Sequence, residues 1–168
     1  MPLPPLVREE DEIYLTGQVV VPWYRTEKPS RMTVMNEEDD EGKRPTAPTP
    51  VQIAAFERTV ANGAGLREPI LQQFHEYVPE LEAADWAGLE AFFQLTDVRL
   101  LPIEKDGIGY VGLVFSCFQF THGYEHGVGI ILHGDRIVHF GMAEEAETGE
   151  KAYIDAGLLK ADEEEEEF

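Results

Sequence analysis

The chain contains 168 residues, 43% of them apolar and 10% aromatic, and its formal net charge at pH 7 is −20. This length suits one domain that buries about two-thirds of its unfolded surface, and no run approaches the ~20 apolar residues of a transmembrane helix. A single cysteine, Cys117, excludes an internal disulfide and a zinc site built from thiolates, while the negative charge disfavours nucleic acid and anionic membranes as partners.

The N-terminal third of the chain is predicted to form two strands and an acidic loop. Residues 1–10 are proline-rich and extended, residues 13–24 have the composition of a strand, and residues 31–35 are predicted to be a short partner strand. Residues 36–50 combine acids with glycine and prolines, which predicts a mobile surface loop.

Three helices are predicted next. Thr49 suits an N-cap and Pro50 the first helical position, and apolar residues then recur at helical spacing until Asn62-Gly63. Residues 66–78 form the second predicted helix, and a short third helix carries Trp86, Leu89, Phe92 and Phe93.

After Gln94 the pattern becomes that of strands. Residues 96–104 and 108–120 are separated by the turn signal Lys105-Asp106-Gly107, and residues 126–133 and 136–141 form a hairpin around Gly134-Asp135. Residues 108–120 are apolar at both parities, which predicts a central strand covered on both faces. A small helix is predicted within residues 150–160.

These elements predict an α+β fold. We expect an antiparallel sheet, made of the N-terminal strands and the C-terminal hairpin-linked strands, packed against two or three helices. Alternation of strands and helices is missing, which disfavours a doubly wound parallel fold. The predicted domain spans residues 1–161 and includes the 36–50 loop, and a disordered acidic tail follows at 162–168.

The acidic residues are strongly clustered. Nineteen of the 33 lie in four runs, at 9–12, 37–41, 144–150 and 162–167, and all 13 Lys and Arg residues lie outside them. The remaining 14 acids nearly balance those 13 bases, so the rest of the chain has a net charge near −1. Such clusters attract a cationic protein and steer its approach.

Four of the five histidines fall within residues 122–139, which suggests a metal site. In a regular hairpin, however, His133 faces Arg136 and Ile130 faces His139, while His126 shares the face of His139 at about 13 Å along the strand. Since side chains that far apart do not chelate one ion, we expect no metal site. His126 and His139 are predicted to be partly buried and satisfied by backbone groups or carboxylates such as Glu125.

No catalytic residue or cofactor is expected. Ser116 and Cys117 lie inside the predicted central strand, out of reach of a substrate. The glycines at 123, 127 and 129 lack the residues of a phosphate loop and instead indicate bulges or close approach of another backbone. Residues 36–42 resemble a calcium loop only in composition, because the spacing of the glycine and of a later glutamate is wrong.

Residues 125–129, Glu-His-Gly-Val-Gly, are followed by a turn and a second strand. This block resembles the closing hairpin of small bacterial domains of unknown function, which are similar to immunity proteins that protect a bacterium from its own toxins. The resemblance extends more loosely to the helix at Thr49-Pro50 and the strands between 96 and 120. It implies a non-enzymatic inhibitor and supplies no catalytic residues.

We therefore predict a protein-binding module, most concretely an immunity protein that binds a basic toxin domain, with cytoplasmic residence and an undetermined oligomeric state. The predicted contacts are the exposed acids and the Glu-His pair: Glu37, Glu38, Asp39, Asp40, Glu41, Glu125, His126, Glu144, Glu145 and Glu147. Trp23 and Tyr24 are possible aromatic anchors or core residues. Two alternatives stay open: a small enzyme or ligand-binding domain that uses Glu125, His126 and His139, and an acidic DNA mimic.

Overall fold

The computed structural model describes residues 3–9, 13–117 and 125–160. Six strands and five helices are assigned there, in the order β1 (Leu15–Val19), β2 (Ser30–Val34), α1 (Pro50–Ala61), α2 (Gly63–Tyr77), α3 (Trp86–Phe92), β3 (Phe93–Lys105), β4 (Ile108–Cys117), β5 (Val128–His133), β6 (Arg136–Met142), α4 (Ala143–Thr148) and α5 (Glu150–Asp155). The predicted tail at 162–168, most of the 9–12 run, the end of the 108–120 strand, His122 and Gly123 lie outside the described residues.

The six strands form one sheet in chain order, β1-β2-β3-β4-β5-β6. Four of the five neighbouring pairs are antiparallel, but β2 and β3 run parallel, with Arg31 beside Asp97. The prediction of an α+β fold is confirmed, and the sheet is mixed where an antiparallel one was expected. The difference arises because the long connection through α1, α2 and α3 returns the chain to the same end of the sheet.

Both hairpin turns occur where the sequence predicts them. Asp106 and Gly107 have φ angles of 56° and 76°, as a two-residue turn of type I′ requires, and Lys105 pairs with Ile108 on either side. The second turn, Gly134-Asp135, is closed by the pairing of His133 with Arg136. The residues of the two turns therefore fix where strand pairing begins in both hairpins.

Helices cover both faces of the sheet. On one face, α1, α2 and α3 enclose the larger core, in which Phe56, Phe74 and Leu89 meet Leu113 and Phe115 of β4. On the other face, Tyr110 and Val114 of β4 and Ile131 of β5 pack with Ala143, Ala146 and Ala152 of α4 and α5. The prediction that β4 is covered on both faces is confirmed. In the second helical layer, α5 lies within the helix predicted at 150–160, whereas α4 was not predicted.

The start of α1 agrees in detail with its sequence signature. The Thr49 hydroxyl accepts a hydrogen bond from the N–H of Gln52, and the Gln52 side chain accepts one from the N–H of Thr49. Gln52 is buried and also donates to the backbone carbonyls of Leu100 and Leu101. This capping box therefore joins α1 to β3 as well as starting the helix.

No helix in residues 3–9, 13–117 and 125–160 has the length and apolar character needed to cross a membrane.

Candidate functional site

The acidic loop contains a compact hydrogen-bonded turn. The carboxylate Oδ1 of Asp39 accepts hydrogen bonds from the N–H groups of Glu41 and Lys43 at 2.9 and 2.8 Å, and the N–H of Asp39 donates to the carbonyl of Lys43. Arg44 Nη2 lies 2.7 Å from Oε1 of Glu38. Glu38 and Asp39, two of the five acids predicted here as partner contacts, therefore make interactions inside the loop. Glu37, Asp40 and Glu41 are exposed, as are these two.

The loop begins close to α5. Burial raises the pKa of the Tyr153 hydroxyl, and the negative charge of Glu37 raises it further. Met35, two residues before Glu37, is buried in the same core as Ala152 of α5. The first acids of the loop and the C-terminal helices therefore lie on the same face of the sheet.

Helix α4 carries the second acidic group. Glu144 and Glu147 are exposed, whereas Glu145 turns back toward the sheet. Its Oε2 accepts a hydrogen bond from the N–H of Met142 at 2.5 Å, and its Oε1 lies 3.2 Å from Nε2 of His139. Glu145 therefore satisfies the first turn of α4 and joins this helix to β6, so its carboxylate is already engaged within the molecule.

A surface cavity of about 350 Å³ lies at the beginning of α4. It is lined by His126, Met142, Ala143, Glu144 and Glu147. The structure thus brings together three of the predicted site residues, one histidine and two carboxylates. Glu125 lies beside His126 in an exposed turn before β5.

Two glycines in the sheet allow α4 to lie this close. A Cβ atom on Gly129 would lie 2.6 Å from the carbonyl oxygen of Met142 and 2.8 Å from Cβ of Ala146. A Cβ atom on Gly112, in the neighbouring strand, would lie 2.9 Å from the carbonyl oxygen of Ala146. The prediction that glycine here marks close approach of another backbone is confirmed at Gly129.

The predicted geometry of the histidines is corrected in two respects. The β5–β6 register shifts at Val138, so that His139 pairs with Ile131, and Phe140 takes the predicted place opposite Ile130. This bulge moves His139 to the α4 face. His126 is exposed in a turn, where a partly buried strand residue was expected.

His133 and His139 have separate partners. His139 meets Glu145, while His133 stacks on Tyr110 and its Nε2 lies 3.0 Å from the carbonyl of Lys105. Within residues 3–9, 13–117 and 125–160, no three His, Cys, Asp or Glu side chains are grouped so that they could hold a metal ion.

Ser116 and Cys117 lie at the end of β4, and their predicted inaccessibility is wrong. Ser116 is exposed, Cys117 is half-buried, and both line a cavity of about 350 Å³ together with Gln94, Leu95 and Thr96.

The two predicted aromatic anchors differ in exposure. Tyr24 is buried, and its Oη donates to the carbonyl of Phe93 at 2.7 Å. Trp23 is half-buried and donates through Nε1 to the carbonyl of Thr59 at 2.8 Å. Both side chains therefore serve the larger core.

Sequence reasoning missed a buried ionic cluster on β2 and β3. The carboxylate of Asp97 accepts hydrogen bonds from Arg31 Nη2 at 3.0 Å, Arg99 Nη1 at 2.9 Å and the Thr33 hydroxyl at 3.0 Å. Its side chain is only 3% exposed. Residues 31 and 97 are far apart in the chain, and no local sequence signal relates them.

A second hydrogen-bond network that the sequence did not predict connects α5 to β4 and β6. Arg136 donates to both carboxylate oxygens of Asp155, at 3.1 and 2.6 Å, and Tyr110 Oη donates to the same carboxylate at 2.6 Å. The hydrogen bonds from Arg136, joined by that from Tyr110, lower the pKa of Asp155 to about 2, although partial burial opposes the shift. This carboxylate therefore stays ionised down to strongly acidic pH.

The Asp155 network predicts a loss of stability in acid. The pKa of Asp155 is lower in the folded protein than its ordinary value of 3.8, so its contribution is complete above about pH 4 and disappears as the pH falls toward 2. Because Arg136 is half exposed, solvent screening limits that contribution to about 1 kcal/mol. Urea unfolding of Asp155→Asn should show this deficit at pH 7 and almost none near pH 2, whereas Asp135→Asn, in the exposed turn, should match the native protein at both. A deficit that persists at pH 2 would contradict the assignment.

No protein-family model, curated protein or solved structure matches the chain. The resemblance of residues 125–129 to bacterial domains similar to toxin-immunity proteins therefore stays a prediction.

Proposed function

We propose that this chain is a non-enzymatic protein-binding module, and most concretely an immunity protein that inhibits a basic toxin domain. The observation that carries the proposal is the position of two exposed acidic groups. Glu37 lies near α5, and Glu144 and Glu147 project from α4, which packs beside α5 on the same face of the sheet. A single basic surface can therefore meet both groups.

Electrostatics supports such a partner. The formal charge of −20 raises the encounter rate with a cationic protein and repels phosphate-rich surfaces. A toxin that acts on nucleic acid needs a basic surface to hold phosphate, and an acidic module of this kind would cover that surface. Binding of this origin weakens as salt screens the charges.

The test is affinity capture with the whole chain at low and high ionic strength. We expect a basic protein to be captured at low salt, with an association rate that falls at least tenfold when Glu37, Asp40, Glu41, Glu144 and Glu147 become amides. These five acids are exposed. The variant leaves Asp39, Glu38 and Glu145 unchanged, because their carboxylates make contacts within the protein.

A matched control removes the same charge elsewhere. Glu27, Glu57, Glu68, Glu82 and Glu104 are exposed acids outside the two groups. Their five-fold replacement by Gln should slow association much less than the first variant. Equal slowing would show that only net charge matters, and no capture at low salt would contradict the proposal.

One observation favours a second candidate, a small-molecule site. The cavity that holds His126, Glu144 and Glu147 combines a base with two carboxylates. If purified protein converted a small molecule and His126→Ala abolished that conversion, this candidate would replace the binding module.

A further inference from the structure

Strand β6 is an edge of the sheet that stays open among the described residues. It is hydrogen-bonded to β5 on one side only. In an edge strand, the N–H and C=O groups of alternate residues point away from the sheet and are able to pair with another chain. The opposite edge, β1, is partly covered, because Val7 and Thr16 exchange two backbone hydrogen bonds of 2.8 and 2.9 Å.

After Arg136 and the bulge at Val138, the sequence of β6 contains no residue that commonly blocks strand pairing. Arg136–Met142 has neither proline nor lysine, the residues that commonly protect edges. The bulge at Val138 interrupts the first part of the strand, but residues 139–142 pair with residues 128–131 in unbroken register. The N–H of Met142 is already donated to Glu145, so His139, Phe140 and Gly141 present the regular edge.

Exposed apolar side chains accompany this edge. The ring of Tyr77, at the end of α2, is stacked on that of Phe140 with centroids 5.3 Å apart and an interplanar angle of 20°. Tyr77 is 52% exposed and Met142 is 45% exposed. Tyrosine in such a position commonly anchors a protein partner.

The end of the edge opens into the acidic cavity. Met142, the last residue of β6, lines the same 350 Å³ cavity as Glu144 and Glu147. A cationic side chain that enters it would meet two carboxylates. The chemistry beside β6 therefore selects a basic segment, and two copies of this chain, each with a formal charge of −20, would repel one another.

We propose that β6 accepts an extended segment of a basic protein as a seventh strand of the sheet. Main-chain hydrogen bonds to residues 139–141 hold this segment, Tyr77 and Phe140 contact its apolar side chains, and a Lys or Arg enters the cavity beside Glu144 and Glu147. The inference rests on the proposed function and names the form of partner that the acidic face binds.

The experiment selects displayed random ten-residue peptides on the whole chain at low ionic strength. We expect selected peptides to alternate apolar and basic residues and to shift the backbone amide NMR signals of residues 139–141. One selected peptide is then made in two N-methylated forms. The first carries methyl groups on every second backbone amide, the other on the remaining amides, and their affinities for the protein are compared. The set that faces β6 should weaken binding at least fiftyfold, and the other set by less than about threefold, because only one set pairs with the edge.

Variants of the protein test the side-chain contacts. Tyr77→Ser should raise the dissociation constant about tenfold. The pair Glu144→Gln and Glu147→Gln should also raise it and reduce its salt dependence. Val20→Ser, which changes an exposed apolar residue just after β1, should leave it unchanged.

Three outcomes would overturn strand addition: selection that yields no binder, equal loss with both methylated forms, or signal shifts that leave the amides of β6 unmoved. Sedimentation that shows dimers formed through residues 139–141 would overturn it as well. In each case, capture of a basic protein in a salt-dependent manner would still support the proposed function, so the two failures are distinguishable.

Discussion

Asp97→Ala is expected to lower the free energy of unfolding by about 3–5 kcal/mol. The substitution leaves Arg99, whose side chain is only 11% exposed, without the carboxylate that neutralises it. It also removes the acceptor of the Thr33 hydroxyl. Urea unfolding at pH 7, followed by circular dichroism, measures the change.

The double variant Asp97→Leu with Arg99→Met separates the charge from the packing. Removing both buried charges should recover much of the loss, because an apolar pair of similar volume avoids the cost of burying an unpaired guanidinium. If Asp97→Ala alone stayed within about 0.5 kcal/mol of the native protein, the cluster would be of no structural consequence.

Gly129→Ala is expected to cost about 1–3 kcal/mol, because the new methyl group would overlap a backbone carbonyl and Ala146 of α4. A carbonyl oxygen at 2.6 Å leaves no room unless α4 moves away from the sheet. That movement would also displace Glu144 and Glu147 relative to His126. Thermal unfolding would measure the loss of stability, and hydrogen exchange of the α4 amides would report the movement of the helix.

Gly88→Ala provides the control. Gly88 lies in α3, where an added Cβ would meet Ala84 and Asp85 at 3.2 Å. Alanine is favoured over glycine in a helix by about 1 kcal/mol, so this change should be neutral or stabilising. A Gly129→Ala protein as stable as Gly88→Ala would contradict the close approach of α4.

The contact between Gly129 and α4 relates the Glu-His-Gly-Val-Gly block to the proposed function. Gly129 is the second glycine of the Glu-His-Gly-Val-Gly block, and its lack of a side chain positions α4 against the sheet. Glu145 then holds the start of this helix through the N–H of Met142, and its Oε1 lies 3.2 Å from Nε2 of His139. If the proposal is right, Gly129→Ala should weaken partner binding more than its loss of stability alone explains.

Local features could be predicted from the sequence because their causes are local. Thr49 and Pro50 start α1 through neighbouring backbone groups, and Asp106-Gly107 adopts the positive φ angles of its turn. Helix α4 was missed because only Ala143 and Ala146 of its six residues are buried, which leaves no apolar period to detect.

The candidate site was predictable only in part. The exposed acids of the loop and of α4 could be identified from clustering, but their position beside His126 and α5 could not. The bulge at Val138 moved His139 away from the predicted face, and a shift of one residue leaves no trace in the composition of a strand.

The order of residues alone was enough to predict the charge segregation, the first helix, both hairpin turns and the two-sided burial of β4. The parallel pairing of β2 with β3, the contact of Asp97 with Arg31 and the packing of α4 over Gly129 became visible only in the folded chain. The physical reason is range: caps and turns depend on neighbours within a few residues, whereas buried ion pairs and close backbone contacts depend on how distant segments pack.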